Sequence, residues 1–463
     1  AMPRPIHPLF GPLAAASLLR LRAGTTRVVR GLLVLALVAG CGAEVPGPTN
    51  AVLVSVDTLR ADRLGAYGYG AARTPELDAL SDRSIRFERA YAHSSMTLPS
   101  IATLLTGRLP AEHGVEKNGI RLNDRWPTLA TRLREAGFAT AGFIGNFTLR
   151  PANNLSRGFD RYTRDYGGRE SNRGTPENLG ATLNEQAIAW LDARDRSRPF
   201  FLWIHYQEPH GPYTPSSYDE VAAAEPGVVL AQSPSQSGRG AIPRYQWLGH
   251  GRLSEYSARY DGEVSDVDLH LGRLVRALEE RGLLEDTLLV FTADHGEAFG
   301  EENLYAAHGE GLGEALLRVP LLLRVPGVEP AVRRDVVRLL DVAPTVLELL
   351  RVEAPDLPGE SLLRASGDRP VVAQVRSVGA RWRSARDGDF RLVESKSGRM
   401  ELTRLRGEAS PEEEQRARDS LAALLERDAP WIAETTPTRP LTSAEREALQ
   451  ALGYLDGAAD APH

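Results

Sequence analysis

The chain has 463 residues, of which 42% are hydrophobic and 25% charged, with a formal net charge of −6 and a pI near 6.0. This composition is ordinary for a folded protein, and the length allows two or three average domains or one large α/β domain with an appendage. The mild negative charge gives no electrostatic reason to expect nucleic-acid binding, so no nucleic-acid partner is predicted. The single cysteine, Cys41, excludes an internal disulfide.

Residues 1–41 have the pattern of an export signal. Arginines precede the apolar run Gly31–Val38, and the small residues Ala39 and Gly40 come directly before Cys41. A basic segment, a short apolar run and small residues at a cleavage site are typical of a secretory signal. The run is short for a membrane span, and the small residues before Cys41 resemble the bacterial lipoprotein signal. We therefore predict a protein of the bacterial cell envelope, exported to the periplasmic side or the cell surface. A lipid on Cys41 would anchor it to the membrane, and a tether would follow over 42–50.

From Ala51 onward, patterns of buried strands and amphipathic helices alternate. Strands are predicted over 51–56, 139–145, 199–205, 287–292 and 319–325, and helices over 128–136, 183–194, 260–281 and 341–350. Repeated β–α units of this kind predict an α/β fold, in which helices sandwich a layered, mostly parallel sheet. The stretch 216–252 is rich in Pro, Ser and Gly, which predicts a long surface loop or lid.

The pattern changes after Gly359. Short strands over 370–376 and 390–394 and a charged helix over 410–425 predict a smaller C-terminal α+β subdomain over 366–463. The catalytic domain is accordingly predicted over 51–365. The last apolar segment, Leu441–Leu455, is predicted to be a docked helix.

The segment around Thr97 places a hydroxyl group at the start of a short helix. Pro99 suits the first helical turn, and Gly107 suits the position just past the end. The start of a helix presents unpaired backbone N–H groups and a partial positive charge, which favour a bound anion beside Thr97. Such a hydroxyl is suited to attack on an anionic ester. From this segment alone, a simple helix cap is the favoured interpretation.

Carboxylates and an imidazole follow two predicted strands. Asp57 comes directly after the first strand, and Asp294 and His295 come just after the strand at 287–292. Open α/β sheets place their ligands at these carboxyl ends. Carboxylate oxygens and imidazole nitrogens bind Ca²⁺, Mn²⁺, Mg²⁺ or Zn²⁺. A hydroxyl beside such an ion becomes a usable nucleophile.

Taken together, these segments resemble the sulfatase branch of the alkaline phosphatase superfamily. The resemblance runs from Ala51 to about Leu363 and is carried by the segments 57–62, 104–108, 209–213, 294–297, 318–320 and 340–345. It implies an alkaline phosphatase/sulfatase-like α/β fold and one divalent metal ion held by Asp57, Thr97, Asp294 and His295. It also implies a set of catalytic and substrate-binding residues. His210 and His308 would bind the oxyanion of the ester or protonate the leaving group, Asn118 would hold a non-bridging oxygen, and Asn146 would contact the substrate.

Three departures from the family pattern bear on the reaction. Sulfatases carry Cys or Ser at the nucleophile position and oxidise it to formylglycine, but this chain has Thr97, and oxidation of threonine would give a ketone. No formylglycine is therefore expected. Ile101 replaces the family's arginine. Thr58 replaces a second aspartate, which weakens a Ca²⁺ site and makes Mn²⁺, Mg²⁺ and Zn²⁺ candidates beside Ca²⁺. Threonine at this position resembles the phosphodiesterases and phosphotransferases of the superfamily, in which the hydroxyl attacks phosphorus.

The position of His205 allows two interpretations. It ends a predicted strand near His210, where it would bind substrate or a second metal ion. A histidine on an apolar strand is also often a structural residue. Glu208 and Glu297 are open in the same way, since carboxylates near a cation also serve to orient its ligands.

The sequence therefore predicts an exported, metal-dependent hydrolase or transferase that acts on phosphate esters through Thr97. A sulfatase that uses unmodified threonine is the first alternative. A non-catalytic protein that binds anionic glycans or lipids is the second alternative. The joint presence of two aspartates and three histidines argues against it, namely Asp57, Asp294, His295, His210 and His308. The predicted partners are an anionic ester substrate of the envelope, either a glycan or a lipid, and the membrane through the lipid anchor.

Overall fold

A computed structural model describes residues 47–447 of the chain, apart from 167, 170–175, 365, 378–379, 433–441 and 444. The predicted signal segment with Cys41, most of the tether and most of the predicted helix at Leu441–Leu455 lie outside the described residues. Within the described part of the chain, no helix combines the length and the apolar character needed to cross a membrane.

The described residues alternate between strands and helices. The strands are β1 Asn50–Val56, β2 Ile85–Tyr91, β3 Ala139–Ile144, β4 Arg161–Tyr162, β5 Gly168–Arg169, β6 Pro176–Glu177, β7 Phe200–Tyr206, β8 Thr287–Ala293, β9 Ala298–Phe299, β10 Tyr305–Ala307, β11 Arg318–Arg324, β12 Ala331–Arg338, β13 Val371–Ser377, β14 Ala380–Asp387, β15 Phe390–Ser395 and β16 Met400–Arg404. The helices are α1 Pro75–Ser81, α2 Thr97–Thr106, α3 Pro110–His113, α4 Leu129–Glu135, α5 Gly180–Ala193, α6 Glu220–Ala224, α7 Leu253–Glu280, α8 Glu314–Leu317, α9 Val342–Leu349 and α10 Pro411–Asp428.

The centre of the fold is a sheet of eight strands in the order β12-β2-β11-β8-β1-β7-β3-β4. Only β11 runs antiparallel to its neighbours, so the sheet is mostly parallel, as predicted. Helix α7 contacts both α1 and α5, whereas α2, α4 and α9 contact one another, and these two groups provide the helical layers. The predicted α/β class with a layered sheet is therefore confirmed.

The three central strands are buried along their whole length. Every residue of β1, β7 and β8 is buried, which explains why these strands appear in the sequence as nearly continuous apolar runs. In the sheet, Val56 pairs with Ala293 of β8 and with Tyr206 of β7. The residues that directly follow these strands therefore meet at one edge of the sheet.

A second sheet follows in the chain. Strands β13 to β16 form an antiparallel meander, and α10 packs on it through a small apolar core that includes Leu392, Leu421 and Leu425. Buried Glu116 joins this sheet to the rest of the fold, because its carboxylate accepts from Arg381 at 2.6 Å and from Arg376 at 2.8 Å.

Several elements differ from their sequence predictions. The long helix α7 begins at Leu253, well before the predicted start at residue 260, because Tyr256 and Ala258 are buried and extend its apolar face. Strands β2 and β12 were not predicted, since charged residues interrupt their apolar pattern. The predicted loop at 216–252 contains only the short helix α6 and a single turn of 3₁₀ helix.

The contacts of Glu116 lead to a prediction about stability. Glu116→Gln removes the negative charge that Arg376 and Arg381 share in a buried ion-pair network, which should lower the free energy of unfolding by about 3 kcal/mol. The measurement is urea unfolding followed by circular dichroism. Glu401→Gln is the control, because Glu401 pairs with Arg399 at 3.6 Å on the exposed surface. It should change the stability by less than about 0.5 kcal/mol, and equal effects of the two substitutions would contradict the structural role of Glu116.

Candidate active site

Three buried side chains meet where β1 and β8 end. Asp57 directly follows β1, and Asp294 and His295 directly follow β8. One potential ligand atom of each residue lies within 4.8 Å of the others, and all three residues are inaccessible to solvent. The structure thus brings together three of the four predicted metal ligands.

Each of these residues keeps one buried atom without a hydrogen-bond partner. The three atoms are Asp57 Oδ1, Asp294 Oδ2 and His295 Nε2. The other nitrogen of His295, Nδ1, donates to the Gly296 carbonyl at 3.0 Å, so Nε2 of the neutral ring is a lone-pair acceptor. Asp294 Oδ1 accepts the backbone N–H groups of Thr58 at 3.1 Å and His295 at 2.7 Å. Unpaired buried acceptors are costly, and this set of two oxygens and one imidazole nitrogen fits a divalent cation.

The charge of the site supports the same assignment. Burial and the neighbouring Asp57 carboxylate raise the pKa of Asp294 well above its usual range. Two adjacent buried carboxylates cannot both ionise at low cost, unless a positive charge lies between them. A divalent cation at this position would supply that charge.

Asn146 and His205, both predicted to contact substrate, lie against Asp57. Asn146 Nδ2 donates to Asp57 Oδ2, and His205 Nε2 lies 3.5 Å from the same oxygen. The indole N–H of Trp203 is only a donor, so Ser55 Oγ accepts from it at 2.9 Å and directs its own proton to His205 Nδ1 at 2.8 Å. These contacts hold one oxygen of Asp57 and leave the other, Oδ1, for a cation.

Thr97 is the first residue of α2 and is fully buried. The backbone N–H of Leu98 donates to Asn118 Oδ1 at 2.9 Å, and the hydroxyl of Ser100 donates to the carbonyl of Asp294 at 2.6 Å. The first turn of α2 is therefore tied directly to the carboxylate site. The amide nitrogen Nδ2 of Asn118 is buried without a hydrogen-bond partner, so this predicted residue keeps a donor available for a ligand.

The three predicted histidines form a row. The ring of His308 lies 4.7 Å from that of His295 and 5.1 Å from that of His210, measured between centroids. Nδ1 of His210 donates to the Gly211 carbonyl at 2.7 Å, and Nδ1 of His308 contacts Glu297 Oε1 at 3.0 Å. Burial lowers the pKa of His210 to about 4 and that of His308 to about 3. Both imidazoles are therefore neutral near pH 7.

The segment that carries His308 packs on the residues before Thr97. Ser95 Oγ donates to the Gly311 carbonyl at 2.7 Å. Gly309 has a positive φ of 76°, and a Cβ atom at this position would lie 3.1 Å from the Met96 side chain. The positive φ favours glycine at this position, and the close approach to Met96 places the segment that carries His308 beside the start of α2.

The structure separates the two glutamates that the sequence left open. Burial raises the pKa of Glu297 to about 7, and its carboxylate contacts both His308 and the Tyr213 hydroxyl, at 3.0 Å each. Glu208 instead accepts the backbone N–H of Gly180 at 3.0 Å, at the start of α5. Glu297 thus belongs to the histidine row, whereas Glu208 holds a helix.

Several residues of the site were not predicted from the sequence, namely Ser55, Ser100, Trp203 and Tyr213. Ser55 had a recognisable signal, because it is the only polar residue in the apolar run 51–56 and stands two positions before Asp57. Successive residues of a strand alternate between the two faces, so Ser55 and Asp57 share a face. The other three residues have no such local signal.

Comparison with known proteins places this site in a family context. The family model described as Sulfatase matches residues 49–352. An arylsulfatase of Clostridium perfringens is 27% identical over a region that covers 66% of this chain and 76% of that protein. An N-acetylglucosamine-6-O-sulfatase of Bacteroides thetaiotaomicron is 24% identical over 73% of each chain.

A solved structure has the same fold. The phosphonate monoester hydrolase of Agrobacterium radiobacter superimposes with a TM-score of 0.66 and 23% sequence identity, over 82% of this chain and 95% of that one. The overall fold is therefore shared with a structure determined for another protein.

The unpaired ligand atoms lead to a prediction about metal binding. Addition of Mn²⁺ or Zn²⁺ to chelator-stripped protein should raise the melting temperature, because a ligand that binds only the folded state stabilises it. At 100 times the dissociation constant the gain is about 2.7 kcal/mol. Asp294→Asn should abolish the rise, as measured by differential scanning fluorimetry. The matched control is Asp268→Asn, since Asp268 is an equally buried aspartate that caps α1, and it should keep the full metal response. A metal response that persists in Asp294→Asn would exclude this site.

Proposed function

The chain belongs to the sulfatase family of ester hydrolases, and we propose that it cleaves phosphate esters by direct attack of the Thr97 hydroxyl on phosphorus. The observation that carries the proposal is the position of Thr97, buried at the start of α2 and tied through Ser100 to Asp294. A hydroxyl group fixed next to a cation site and a helix N-terminus suits attack on an anionic ester.

The residues of the site divide the work of this reaction. A divalent ion held by Asp57, Asp294 and His295 would supply a Lewis acid that favours the alkoxide form of Thr97. Thr97 Oγ1 forms a bond to phosphorus as the bond to the leaving oxygen breaks, which gives a covalent phosphothreonine. Asn118 Nδ2 donates to a non-bridging oxygen. Water then attacks the phosphothreonine in the hydrolase, and an acceptor alcohol would take its place in a transferase.

The leaving oxygen receives its proton from the histidine row. His210 and His308 are neutral in the free protein because they are buried. The negative charge of a bound ester favours the charged form of a nearby imidazole, so substrate binding itself would protonate one of the two rings. Glu297 orients His308 through its contact with Nδ1.

The chemistry of threonine favours phosphate over sulfate. The secondary alcohol of Thr97 yields a ketone on oxidation, so it cannot supply the aldehyde hydrate used by formylglycine sulfatases. Ile101 belongs to the hydrophobic core and is fully buried, which excludes the positive charge that sulfatases place at this position. The site therefore has a direct nucleophile in place of the oxidised one.

Sulfate esters are the second candidate substrates. The similarity to an arylsulfatase and to an N-acetylglucosamine-6-O-sulfatase supports this alternative, in which unmodified Thr97 attacks sulfur. For either reaction, we propose an anionic glycan or lipid of the cell envelope as the substrate, and an exported protein anchored through Cys41.

Replacement of Thr97 tests the nucleophile. Thr97→Ala should reduce kcat by at least about 1,000-fold, because loss of a nucleophile removes the covalent route, while the circular dichroism spectrum and the metal content stay largely unchanged. Thr97→Ser keeps a hydroxyl and should retain turnover. Thr106→Ala, which alters a threonine at the other end of the same helix, should have close to wild-type activity. Appreciable turnover by Thr97→Ala would remove Thr97 from the mechanism.

The choice of substrate class is tested with three aryl esters. An aryl phosphodiester, phosphomonoester and sulfate are compared at equal concentration, with Mn²⁺, Zn²⁺, Mg²⁺ or Ca²⁺ added after stripping. Metal-dependent turnover of a phosphate ester, with slower turnover of the sulfate, is the expected result. A preference for the sulfate ester would instead support the sulfatase alternative.

A further inference from the structure

A large cavity lies at the opposite edge of the central sheet from the catalytic site. Its volume is about 560 Å³, and it is lined by residues at the starts of the parallel strands, among them Asn50, Phe138 and Pro199. Asn50 is the first residue of β1, whereas Asp57 directly follows its last. A strand of this length spans about 20 Å, so the two sites are separate.

The lining of this cavity is strongly basic. It contains Arg194, Arg196, Arg198 and Arg351, and none of the described residues that line it is acidic. The four arginines come from two distant parts of the sequence, the end of α5 with the following turn and the second residue after α9. The fold therefore gathers four permanent positive charges around one cavity, in a protein with a net charge of −6.

Two of these four positive charges have no counter-ion among the described residues. Within the described ranges, Arg196 and Arg351 have neither an ion pair nor a side-chain hydrogen bond, and both are exposed. Arg194 donates to the carbonyl of Leu191 at 2.6 Å, and Arg198 donates to the carbonyls of Gly137 and Phe138.

The nearby carboxylates are engaged elsewhere. Asp192 pairs with Arg281 at 2.8 Å, and Asp195 accepts from the backbone and hydroxyl of Ser197. Asp160 pairs with Arg134 at 2.8 Å and lies 3.7 Å from Arg198. The cavity therefore keeps an excess of positive charge.

Arg194 shows the consequence of this excess most directly. Its Nε atom is buried and has no hydrogen-bond partner. Burial and the nearby Arg196 both lower the pKa of Arg194. A bound anion would satisfy the unpaired donor and offset the repulsion between the guanidinium groups.

We propose that this cavity binds a phosphate-type oxyanion, with Arg194, Arg196 and Arg351 as the recognising residues. Guanidinium groups present planar, paired N–H donors that match the oxygens of a phosphate or sulfate group. Two sources supply this chemistry, the headgroup of an anionic phospholipid and a free inorganic anion. The inference is independent of the catalytic proposal, because it involves none of the catalytic residues.

The position of the cavity in the chain favours the headgroup. Gly47, Pro48 and Thr49 line it, and the predicted lipidation site, Cys41, stands six residues before Gly47 in the sequence. Six residues reach at most about 20 Å. A lipid on Cys41 would thus keep a membrane surface within reach of this edge of the sheet.

The experiment compares the full chain with two double variants of equal charge. Arg196→Gln/Arg351→Gln removes two arginines of the cavity, and Arg399→Gln/Arg416→Gln removes two exposed arginines of the C-terminal region. Each protein is sedimented with vesicles of phosphatidylcholine alone and with vesicles that contain about one third phosphatidylglycerol. Any anchoring by the basic N-terminal segment contributes equally to all three proteins, so the difference in vesicle preference between the two variants measures the contribution of the cavity. Thermal shifts with inorganic phosphate are measured in parallel.

The wild-type protein should bind the anionic vesicles more tightly than the neutral ones. In the cavity variant the ratio of the two binding constants should fall about 30-fold, because each arginine near an anionic surface contributes about fivefold to binding. The control variant should keep most of it. A phosphate-induced shift that is lost only in the cavity variant, without a vesicle preference, would support the site with a free anion as its source. Neither effect in the wild-type protein, or equal losses in both variants, would overturn the proposal.

Discussion

Two carboxylates buried side by side set the main constraint on this structure. Asp57 and Asp294 have no solvent exposure, and the proximity of the first raises the pKa of the second well above its usual range. The protein satisfies one oxygen of each: backbone N–H groups reach Asp294 Oδ1, and the side chains of Asn146 and His205 face Asp57 Oδ2. The remaining oxygens lie near His295 Nε2, where a divalent cation would balance the charge of both carboxylates.

The rest of the site is built to keep this arrangement rigid. The register of β1 with β8 brings the two strand ends together, and Ser100 ties the first turn of α2 to the carbonyl of Asp294. All ten residues of α2 are buried, so the helix cannot shift without disturbing close packing on every side. The position of Thr97 relative to the carboxylates is therefore set by the core of the protein and needs no separate loop to hold it.

The sequence predicts those parts of the fold and site that depend on local patterns. Apolar runs mark β1, β7 and β8, and the polar residues that end them, such as Asp57 and Asp294, are visible because they interrupt those runs. The hydrogen bonds from Trp203 through Ser55 to His205 could not be predicted, since they depend on pairing between strands 150 residues apart in the chain. Strands β2 and β12 could not be predicted either. They lie at one edge of the sheet, where burial is incomplete, so charged residues interrupt their apolar pattern. The arginine cavity likewise appears only when distant segments are assembled.

The two ends of the central sheet differ in the source of the positive charge that would hold an anion. At the catalytic end the ionisable groups are buried, the histidines are neutral, and positive charge must come from a bound ion or from protons taken up with the substrate. Such charge can change during a reaction, which is what proton transfer to a leaving group requires. At the other end, guanidinium groups carry charge that does not depend on pH or on a cofactor. Permanent charge suits stable binding and contributes nothing to proton transfer. The separation of the two kinds of charge by the length of the central strands allows one fold to hold an anion at one end and to react with another at the opposite end.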